Sequence, residues 1–191
     1  MTAFDLAYEH TMGHEGGYTD DPIDAGGETY KGISRKYHPH WDGWVIVDTF
    51  KLPGWRVSKM AEHEELQRLV RLFYKQTFWN PWLGDFVANI SQEVAEEMFD
   101  TGVNMGVHRC QKFLQEGLNK LNRAEKLYPN LVEDGKVGSR TLSALKKLPA
   151  KDHEVLLKML NVMQGRHYLA YMSKSEDQER FARGWFSRVS L

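Results

Sequence analysis

Cysteine, long apolar runs and net charge are all scarce in this sequence, and each of these absences excludes a class of protein. It contains a single cysteine, Cys110, so no disulfide can form within it and a reducing compartment is tolerated. It has no apolar run of about eighteen residues and no basic start followed by an apolar stretch, so we expect neither membrane insertion nor a secretory signal. The formal net charge of −1 argues against a general nucleic-acid binder, and no nucleic-acid partner is expected.

The overall composition fits one globular domain, or one domain with a small appended lobe. The chain has 191 residues, of which 41% are apolar, and this is enough for a packed core. Residues 1–108 carry 9 Lys and Arg against 17 Asp and Glu, a net −8, whereas residues 109–191 carry 16 against 9, a net +7. The basic half suits a polyanionic surface such as cell wall, nucleic acid or membrane, although attraction between the two halves explains the asymmetry equally well.

Apolar periodicity predicts a mainly α-helical chain. A first helix runs from Phe4 to Met12, and Ser91 begins a central core helix. Further helices are predicted over residues 58–78 with Ser58 as cap, 109–121, 139–147 with Ser139 as cap, and 152–171. The glycine-rich stretch 16–34 favours a small irregular β-hairpin, and the aromatic, proline-containing stretch 38–56 favours an irregular loop.

Two carboxylates follow the first predicted helix. Glu15 is followed by Gly16 and Gly17, which allow a ligand to approach the backbone closely, and Asp24 lies in a glycine-rich turn. Glycoside hydrolysis requires two carboxyl groups at the scissile bond, one of them a protonated general acid. A partly apolar pocket would raise the pKa of Glu15 as this role requires. For Asp24 taken alone, a structural role is favoured over a catalytic one, because Asp commonly caps backbone donors in turns.

Aromatic residues near this segment are candidates for stacking on sugar rings. The chain has 6 Trp and 8 Tyr, most of which we expect in the core. The candidates for substrate contact lie in or beside irregular segments: Tyr18, Tyr30 and Trp41, with Trp44 and Trp55 as further rings of the same kind. A rival interpretation uses His10 and His14 as zinc ligands one helical turn apart, but the glutamate follows the pair and no third ligand is evident.

These residues together resemble the N-terminal signature of glycoside hydrolase family 108. The resemblance is carried by Glu15-Gly16-Gly17-Tyr18, Asp21-Pro22, Asp24, Gly26-Gly27-Glu28-Thr29 and Gly32-Ile33-Ser34, then by Tyr74, Trp79 and Phe99-Asp100-Thr101-Gly102-Val103-Asn104-Met105-Gly106. The family comprises N-acetylmuramidases found as phage endolysins and in prophage regions. The resemblance implies a lysozyme-like, mainly α-helical fold that cleaves the β-1,4 bond between N-acetylmuramic acid and N-acetylglucosamine, without a metal or organic cofactor.

The resemblance also suggests roles for single residues. Glu15 matches the catalytic glutamate and would be the general acid. Asp24 would orient the attacking water or stabilise positive charge on the sugar, and Thr29 would hold the water. Asn104, in the stretch that matches the family's core helix, is a further candidate for substrate contact.

Residues 109–191 resemble predicted peptidoglycan-binding segments through Gln111-Lys112-Phe113-Leu114-Gln115 and Asp134-Gly135-Lys136-Val137-Gly138. We therefore divide the chain into a catalytic region, 1–108, and a helical region, 109–191, packed into the same globule. The expected protein is an endolysin that accumulates in the cytoplasm, reaches the wall through a lesion made by a holin-like partner and acts on the peptidoglycan glycan strand. A zinc-dependent wall amidase and a non-catalytic peptidoglycan-binding or secretion-associated protein are the alternatives.

Overall fold

The computed structural model describes residues 1–12, 17–20, 27–174 and 176–190. Within these ranges the chain is mainly helical with one small antiparallel sheet, as the sequence predicts. The α-helices are α1 (Ala3–Met12), α2 (Gly43–Phe50), α3 (Glu64–Tyr74), α4 (Gly84–Ala88), α5 (Gln92–Met105), α6 (Val107–Leu121), α7 (Ser139–Lys147), α8 (Ala150–Met172) and α9 (Ala182–Phe186). Short 3-10 segments cover Val57–Glu62, Asn80–Trp82 and Glu176–Phe181, and a π-helical segment covers Lys75–Trp79. None of the helices so described is long and apolar enough to cross a membrane.

The first of two compact units combines Met1–Thr11 with Phe78–Leu191. Its central element is α5, which packs against α4, α6 and α8. Ser91 caps this helix as predicted, because its hydroxyl accepts a hydrogen bond from the backbone N–H of Val94 at 3.3 Å.

Aromatic rings form the core beside α5. Phe4 meets Trp79 and Phe99 edge to face, with ring centroids 5.7 Å apart in each pair. Trp79 also packs against Trp82 at 4.9 Å, and all four side chains are buried. The N-terminal part of α1 is thereby fixed to the core of this unit through one phenylalanine.

The second unit, Met12–Thr77, contains the sheet. Its strands are β1 (Tyr18–Thr19), β2 (Thr29–Tyr30) and β3 (Ile33–Ser34), which pair antiparallel in this order. Lys31 and Gly32 connect β2 to β3 with φ angles of 45° and 77°. Two successive positive φ angles are typical of the tight turns that match the twist of a hairpin.

The prediction that residues 38–56 form an irregular loop is wrong for the middle of this stretch, where α2 lies. Trp44, Val47 and Phe50 are buried at a spacing of three and lie along the inner side of the helix. The prolines of this stretch, Pro39 and Pro53, flank the helix and do not interrupt it.

Several predicted helix starts are displaced by a few residues. His63 caps α3 in place of Ser58, since its Nδ1 accepts a hydrogen bond from the backbone N–H of Leu66 at 3.2 Å. Ser139 is the first residue of α7 and not its cap, and α8 begins at Ala150, ahead of its expected start. The periodic pattern therefore identified the helices better than it identified their first turns.

Candidate functional site

The two carboxylates at the centre of the sequence prediction, Glu15 and Asp24, lie outside the described residues. The structure describes the elements that bracket them along the chain: α1 ends at Met12, β1 begins at Tyr18 and β2 begins at Thr29. In sequence, Glu15 lies between α1 and β1, and Asp24 lies between β1 and β2. The described part of the candidate site consists of side chains on and beside these strands.

Thr29 lies in the central strand of the sheet. Its partners are Thr19 in β1 and Ser34 in β3, so its backbone is held from both sides. The side chain is half-buried, and its hydroxyl makes no hydrogen bond to another described residue. A hydroxyl of this kind can both donate to and accept from an external molecule such as water.

Glu28, which immediately precedes β2, is the centre of a charged cluster. Its carboxylate accepts hydrogen bonds from Lys51 Nζ at 3.0 Å and from the Tyr18 hydroxyl at 3.1 Å. Arg35 Nε lies 2.7 Å from the same carboxylate in an electrostatic contact, and the guanidinium donates to Asp48 at 2.6 Å. Because the Glu28 side chain is only 13% exposed, the two cations compensate a charge that is largely removed from water. We call these five residues the Glu28 cluster.

Contacts within the Glu28 cluster shift the pKa values of Asp48, Lys51, Arg35 and Tyr18. The hydrogen bond from Arg35 lowers the pKa of Asp48, and the hydrogen bond to Glu28 raises the pKa of Lys51. Partial burial disfavours the charged form of Arg35, but its bond to Asp48 and the Glu28 charge outweigh this effect and raise its pKa. Partial burial and the bond to Glu28 raise the pKa of Tyr18, which remains a donor at neutral pH. The cluster is a set of fixed charges that holds β1, β2 and α2 together.

The two tyrosines predicted to contact sugar differ in accessibility. Tyr18 is half-buried, and the bond to Glu28 holds its ring in one orientation. Tyr30 is 1% exposed, and its hydroxyl accepts a hydrogen bond from Gln67 Nε2 at 2.8 Å. As a correction to the sequence prediction, we assign Tyr30 to the core of the second unit, because successive side chains of β2 point to opposite faces and this one points inward.

Trp41 combines a fixed ring with a partly accessible surface. Its ring stacks on Tyr30 at a centroid distance of 6.4 Å and meets Trp44 edge to face at 5.1 Å. Its indole N–H donates to the backbone oxygen of Leu69 at 3.4 Å. A half-buried ring that its neighbours hold in place is suited to stacking on a sugar. Trp44 is 3% exposed and packs against the Arg35 guanidinium, so it belongs to the core.

Trp55 has the most accessible ring among the tryptophans that the sequence singled out. It is 54% exposed and packs edge to face on Phe50 at 5.1 Å. Trp55 lines a depression of about 420 Å³, together with Arg56, Lys59 and His63. An aromatic face beside polar side chains is a second surface of the second unit on which a sugar can stack.

Asn104 belongs to the first unit and is exposed near the end of α5. Its amide nitrogen donates to the backbone oxygen of Asp100 at 2.8 Å and to the carboxylate of the same residue at 3.3 Å. That carboxylate also accepts hydrogen bonds from Gln164 Nε2 and Arg188 Nη1, both at 2.7 Å. The amide of Asn104 is therefore oriented by a fixed neighbour, and its oxygen accepts no hydrogen bond from a described residue.

Glu97 is a titratable residue that the sequence did not single out. Burial, together with the nearby Asp100 carboxylate, raises the pKa of Glu97 to about 8. A raised pKa is typical of general acids, but this side chain is 8% exposed and accepts a hydrogen bond from Thr101 inside the first unit. We interpret Glu97 as a core residue. The sequence feature that could have indicated its burial is its position on the predicted core helix, between the apolar residues Val94 and Met98.

The segment that resembles peptidoglycan-binding sequences has a polar face on α6. Gln111, Gln115 and Asn119 recur every four residues, so they lie on the same side of this helix. The side-chain oxygens accept backbone hydrogen bonds from the following loop: Val137 N to Gln111 at 2.7 Å, Gly135 N to Gln115 at 2.8 Å and Leu131 N to Asn119 at 2.8 Å. We call these three residues the α6 polar ladder, and they hold a loop that has no regular secondary structure.

The histidine pair considered as metal ligands is only partly described. His10 is exposed on α1, with its Nδ1 3.9 Å from the Glu96 carboxylate, whereas His14 lies outside the described residues. Over the ranges that the structure describes, no group of three His, Cys, Asp or Glu side chains could hold a metal ion.

Comparison with known protein families identifies the class of enzyme to which the chain belongs. A model described as glycosyl hydrolase 108 matches residues 8–106, which is more than half of the chain. The chain belongs to glycosyl hydrolase family 108. A second model, described as a predicted peptidoglycan domain, matches residues 109–190. Together the two matches identify this family-108 protein as a glycoside hydrolase that acts on peptidoglycan.

A solved structure, that of SagA from Brucella abortus, is similar to this family-108 hydrolase. The two chains are 24% identical, the TM-score is 0.57, and the aligned region covers 97% of this chain and 88% of the other. At this identity the similarity shows a shared fold and no more. No curated protein matches the chain.

Proposed function

We propose that this peptidoglycan hydrolase is an N-acetylmuramidase that cleaves the β-1,4 bond between N-acetylmuramic acid and N-acetylglucosamine. The observation that carries the proposal is the family match over residues 8–106, because this span contains Glu15, Asp24 and Thr29. The match over residues 109–190 supports the same polymer as substrate. The choice of bond rests on the resemblance of the Glu15 motif to the muramidases of the family.

In this proposal Glu15 is the general acid that protonates the leaving oxygen. Asp24 orients the attacking water or stabilises positive charge on the sugar ring, and Thr29 holds the water. The described geometry supports the role of Thr29, whose strand is paired on both sides and whose hydroxyl has no partner among the described residues. The Glu28 cluster fixes the start of that strand.

The accessible rings of the second unit are the proposed contacts for the glycan strand. Trp55 offers the most exposed face, Trp41 a fixed and half-buried one, and Tyr18 a ring held by its hydroxyl. Flat aromatic faces suit the apolar faces of sugar rings. Asn104, in the first unit, is a separate proposed contact, since its side-chain oxygen has no donor among the described residues and can accept a hydrogen bond from an N-acetyl amide.

Mass spectrometry of peptidoglycan digested by the full chain tests the proposal. A muramidase releases fragments with reducing N-acetylmuramic acid ends. Anhydro ends would identify a lytic transglycosylase, reducing N-acetylglucosamine ends a glucosaminidase, and freed peptides an amidase, whereas an intact polymer would indicate a protein that only binds. Each of these other outcomes contradicts the proposed bond specificity.

We further propose that the hydrolase serves as a phage or prophage endolysin. It accumulates in the cytoplasm and reaches the wall through a lesion made by a holin-like membrane protein. The support is the resemblance of its N-terminal motif to phage muramidases. Production of the protein inside bacterial cells, with and without a pore-forming membrane protein, tests this role: we expect lysis only with both, and lysis by the hydrolase alone would contradict the need for a partner.

A further inference from the structure

A cleft in the first unit lies between the loop that follows α6 and the start of α7. Its volume is about 880 Å³. Loop residues between Tyr128 and Lys136 form one wall, and helix residues between Ser139 and Lys147 form the other. We call it the loop–α7 cleft. The proposed cleavage of the glycan does not use this cleft.

The loop wall of this cleft is fixed before any ligand binds. The α6 polar ladder bonds the loop backbone at three points, and Gln115 Nε2 also donates to the Asp134 carboxylate at 2.9 Å and to the backbone oxygen of Lys136 at 3.0 Å. The Tyr128 hydroxyl donates to the backbone oxygen of Leu118 at 2.8 Å. Because the loop is already ordered, binding requires little further loss of conformational entropy.

The loop–α7 cleft carries an excess of positive charge. Lys136, Arg140 and Lys147 line it, are exposed and form no ion pair with a described carboxylate. Among the described lining residues, Asp134 is the single acid. Gln115 Nε2 and the backbone N–H of Lys136 both donate to its carboxylate, and these bonds lower its pKa. Arg140 and Lys147 are therefore available to an anionic ligand, whereas the charge of Lys136 also acts on Asp134 and helps to lower its pKa.

The start of α7 adds hydrogen-bonding groups to the same cleft. Gly138 is the N-cap and provides no side-chain cap, so the first backbone N–H groups of the helix can bind an anion. Thr141 lines the cleft and is 2% exposed, yet its hydroxyl makes no hydrogen bond to a described residue. Because Thr141 lines the cleft, water or a ligand group in the cleft can form a hydrogen bond with this hydroxyl. Both observations indicate a ligand with hydrogen-bond acceptors.

The lining favours a carboxylate over a sugar ring. Tyr128 is the one aromatic residue among the described lining residues, and it is 5% exposed with its hydroxyl bound to backbone. The cleft thus has no accessible aromatic face on which a sugar could stack. Carboxylates are instead bound by cations, hydroxyls and helix N-termini, which are the groups present here. In peptidoglycan, carboxylates belong to the peptide stems.

We propose that the loop–α7 cleft binds a carboxylate of a peptidoglycan peptide stem. This inference rests on the proposed substrate and gives the 109–190 region a role in binding peptide that is separate from cleavage of the glycan. Leu131 and Val132 also line the cleft, and Val132 is 73% exposed. These aliphatic side chains can contact the methyl groups of alanine in a stem while the cations hold its carboxylate.

Titration calorimetry tests this assignment by measuring how tightly the full chain binds a synthetic stem peptide with free carboxylates. Arg140→Gln and Lys147→Gln should each weaken binding by roughly 5- to 10-fold, as expected for the loss of one charge-assisted contact. Lys146→Gln is the matched control, because Lys146 is an exposed neighbour on the same helix that does not line the cleft. A peptide whose carboxylates are replaced by amides should bind much more weakly, and circular dichroism checks that each variant is folded.

Several outcomes would overturn the assignment. Peptide binding that Lys146→Gln weakens as much as Lys147→Gln does, or that no variant weakens, would show that the cleft is not the binding site. Inorganic phosphate that competes with the peptide as well as free stem peptide does would show that the site binds anions in general. Chitotetraose binding that the same variants abolish would show that the cleft binds sugar. Release of reducing ends from peptidoglycan is measured in parallel. Peptide binding without hydrolysis would contradict the muramidase and leave the cleft assignment standing, whereas hydrolysis without peptide binding would contradict the cleft alone.

Discussion

At the residue scale, Glu28 connects more of the described candidate site than any residue the sequence singled out. Glu28→Gln keeps the shape of the side chain but removes one of the two carboxylates that Arg35 and Lys51 share, so that only the more exposed Asp48 still pairs with both. We expect the free energy of unfolding, measured by urea denaturation, to fall by about 1–3 kcal/mol. Glu65→Gln is the control, since its pair with Arg68 is on the surface and should matter little. Equal losses in the two variants would contradict the role of the cluster.

The accessibility of single aromatic rings predicts different kinetic effects. Trp55→Ala and Trp41→Ala should raise KM for soluble glycan fragments by roughly 5- to 10-fold, with smaller changes in kcat, because a stacking surface is lost. Tyr30→Phe removes only the acceptor of one hydrogen bond from Gln67 in the core and should leave KM unchanged. Steady-state kinetics of the three variants checks this. A folded Tyr30→Phe protein with a KM as high as that of Trp55→Ala would contradict our assignment of Tyr30 to the core.

The sequence revealed residues that act through local motifs better than residues that act through long-range contacts. The Glu15 motif and Trp41 could be selected from glycines and aromatic residues near one another. The Glu28 cluster could not, because Arg35 and Lys51 reach Glu28 only after the sheet and α2 have formed. The inward direction of Tyr30 depends on the register of β2, which a two-residue strand does not display as a pattern.

At the element scale, the α6 polar ladder predicts local loosening of the loop when one of its residues is replaced. In Gln115→Leu the backbone N–H of Gly135 loses its acceptor, so its hydrogen exchange should accelerate by roughly tenfold. Exchange within α6 and α5 should change little. Lys112→Gln, on the exposed side of the same helix, is the control. Uniform acceleration through α5 and α6 would instead indicate general destabilisation of the unit.

Long, amphipathic elements were predictable, whereas elements defined by distant partners were not. The core helix α5 has both an apolar period and a capping serine, and its start was predicted correctly. The short helix α2 was missed because flanking prolines and clustered aromatics resemble a packed loop. The loop before α7 has no period of its own, since its order comes from side chains of α6 that lie 12 to 26 residues away in sequence.

At the scale of the whole molecule, part of the positive charge of residues 109–191 is concentrated at one site. Of the 16 cationic residues in 109–191, three line the loop–α7 cleft. The net charge of this region alone predicted affinity for any polyanion. The arrangement of three cations around a preformed cleft favours a more specific ligand, so salt should weaken peptide binding through these side chains.

The stability of the molecule should depend on pH through Glu97. Its pKa is raised from 4.5 to about 8 in the folded chain by burial, so folding favours the protonated form. This contribution is fully present below pH 4.5 and is lost as pH rises toward 8, where the unfolded state has already released its proton. Thermal unfolding between pH 5 and 8 should show a steeper decline for the wild type than for Glu97→Gln. Parallel curves would contradict the buried, protonated state of this side chain.

The central claim is that a Glu15-dependent muramidase acts on peptidoglycan. The most direct measurement is the rate at which wild-type and Glu15→Gln proteins, matched by circular dichroism, release reducing N-acetylmuramic acid ends from purified peptidoglycan. Our account predicts that the variant keeps its fold and loses roughly 100- to 10,000-fold in rate, as expected for removal of a general acid. A folded Glu15→Gln protein that releases these ends at the wild-type rate would contradict it.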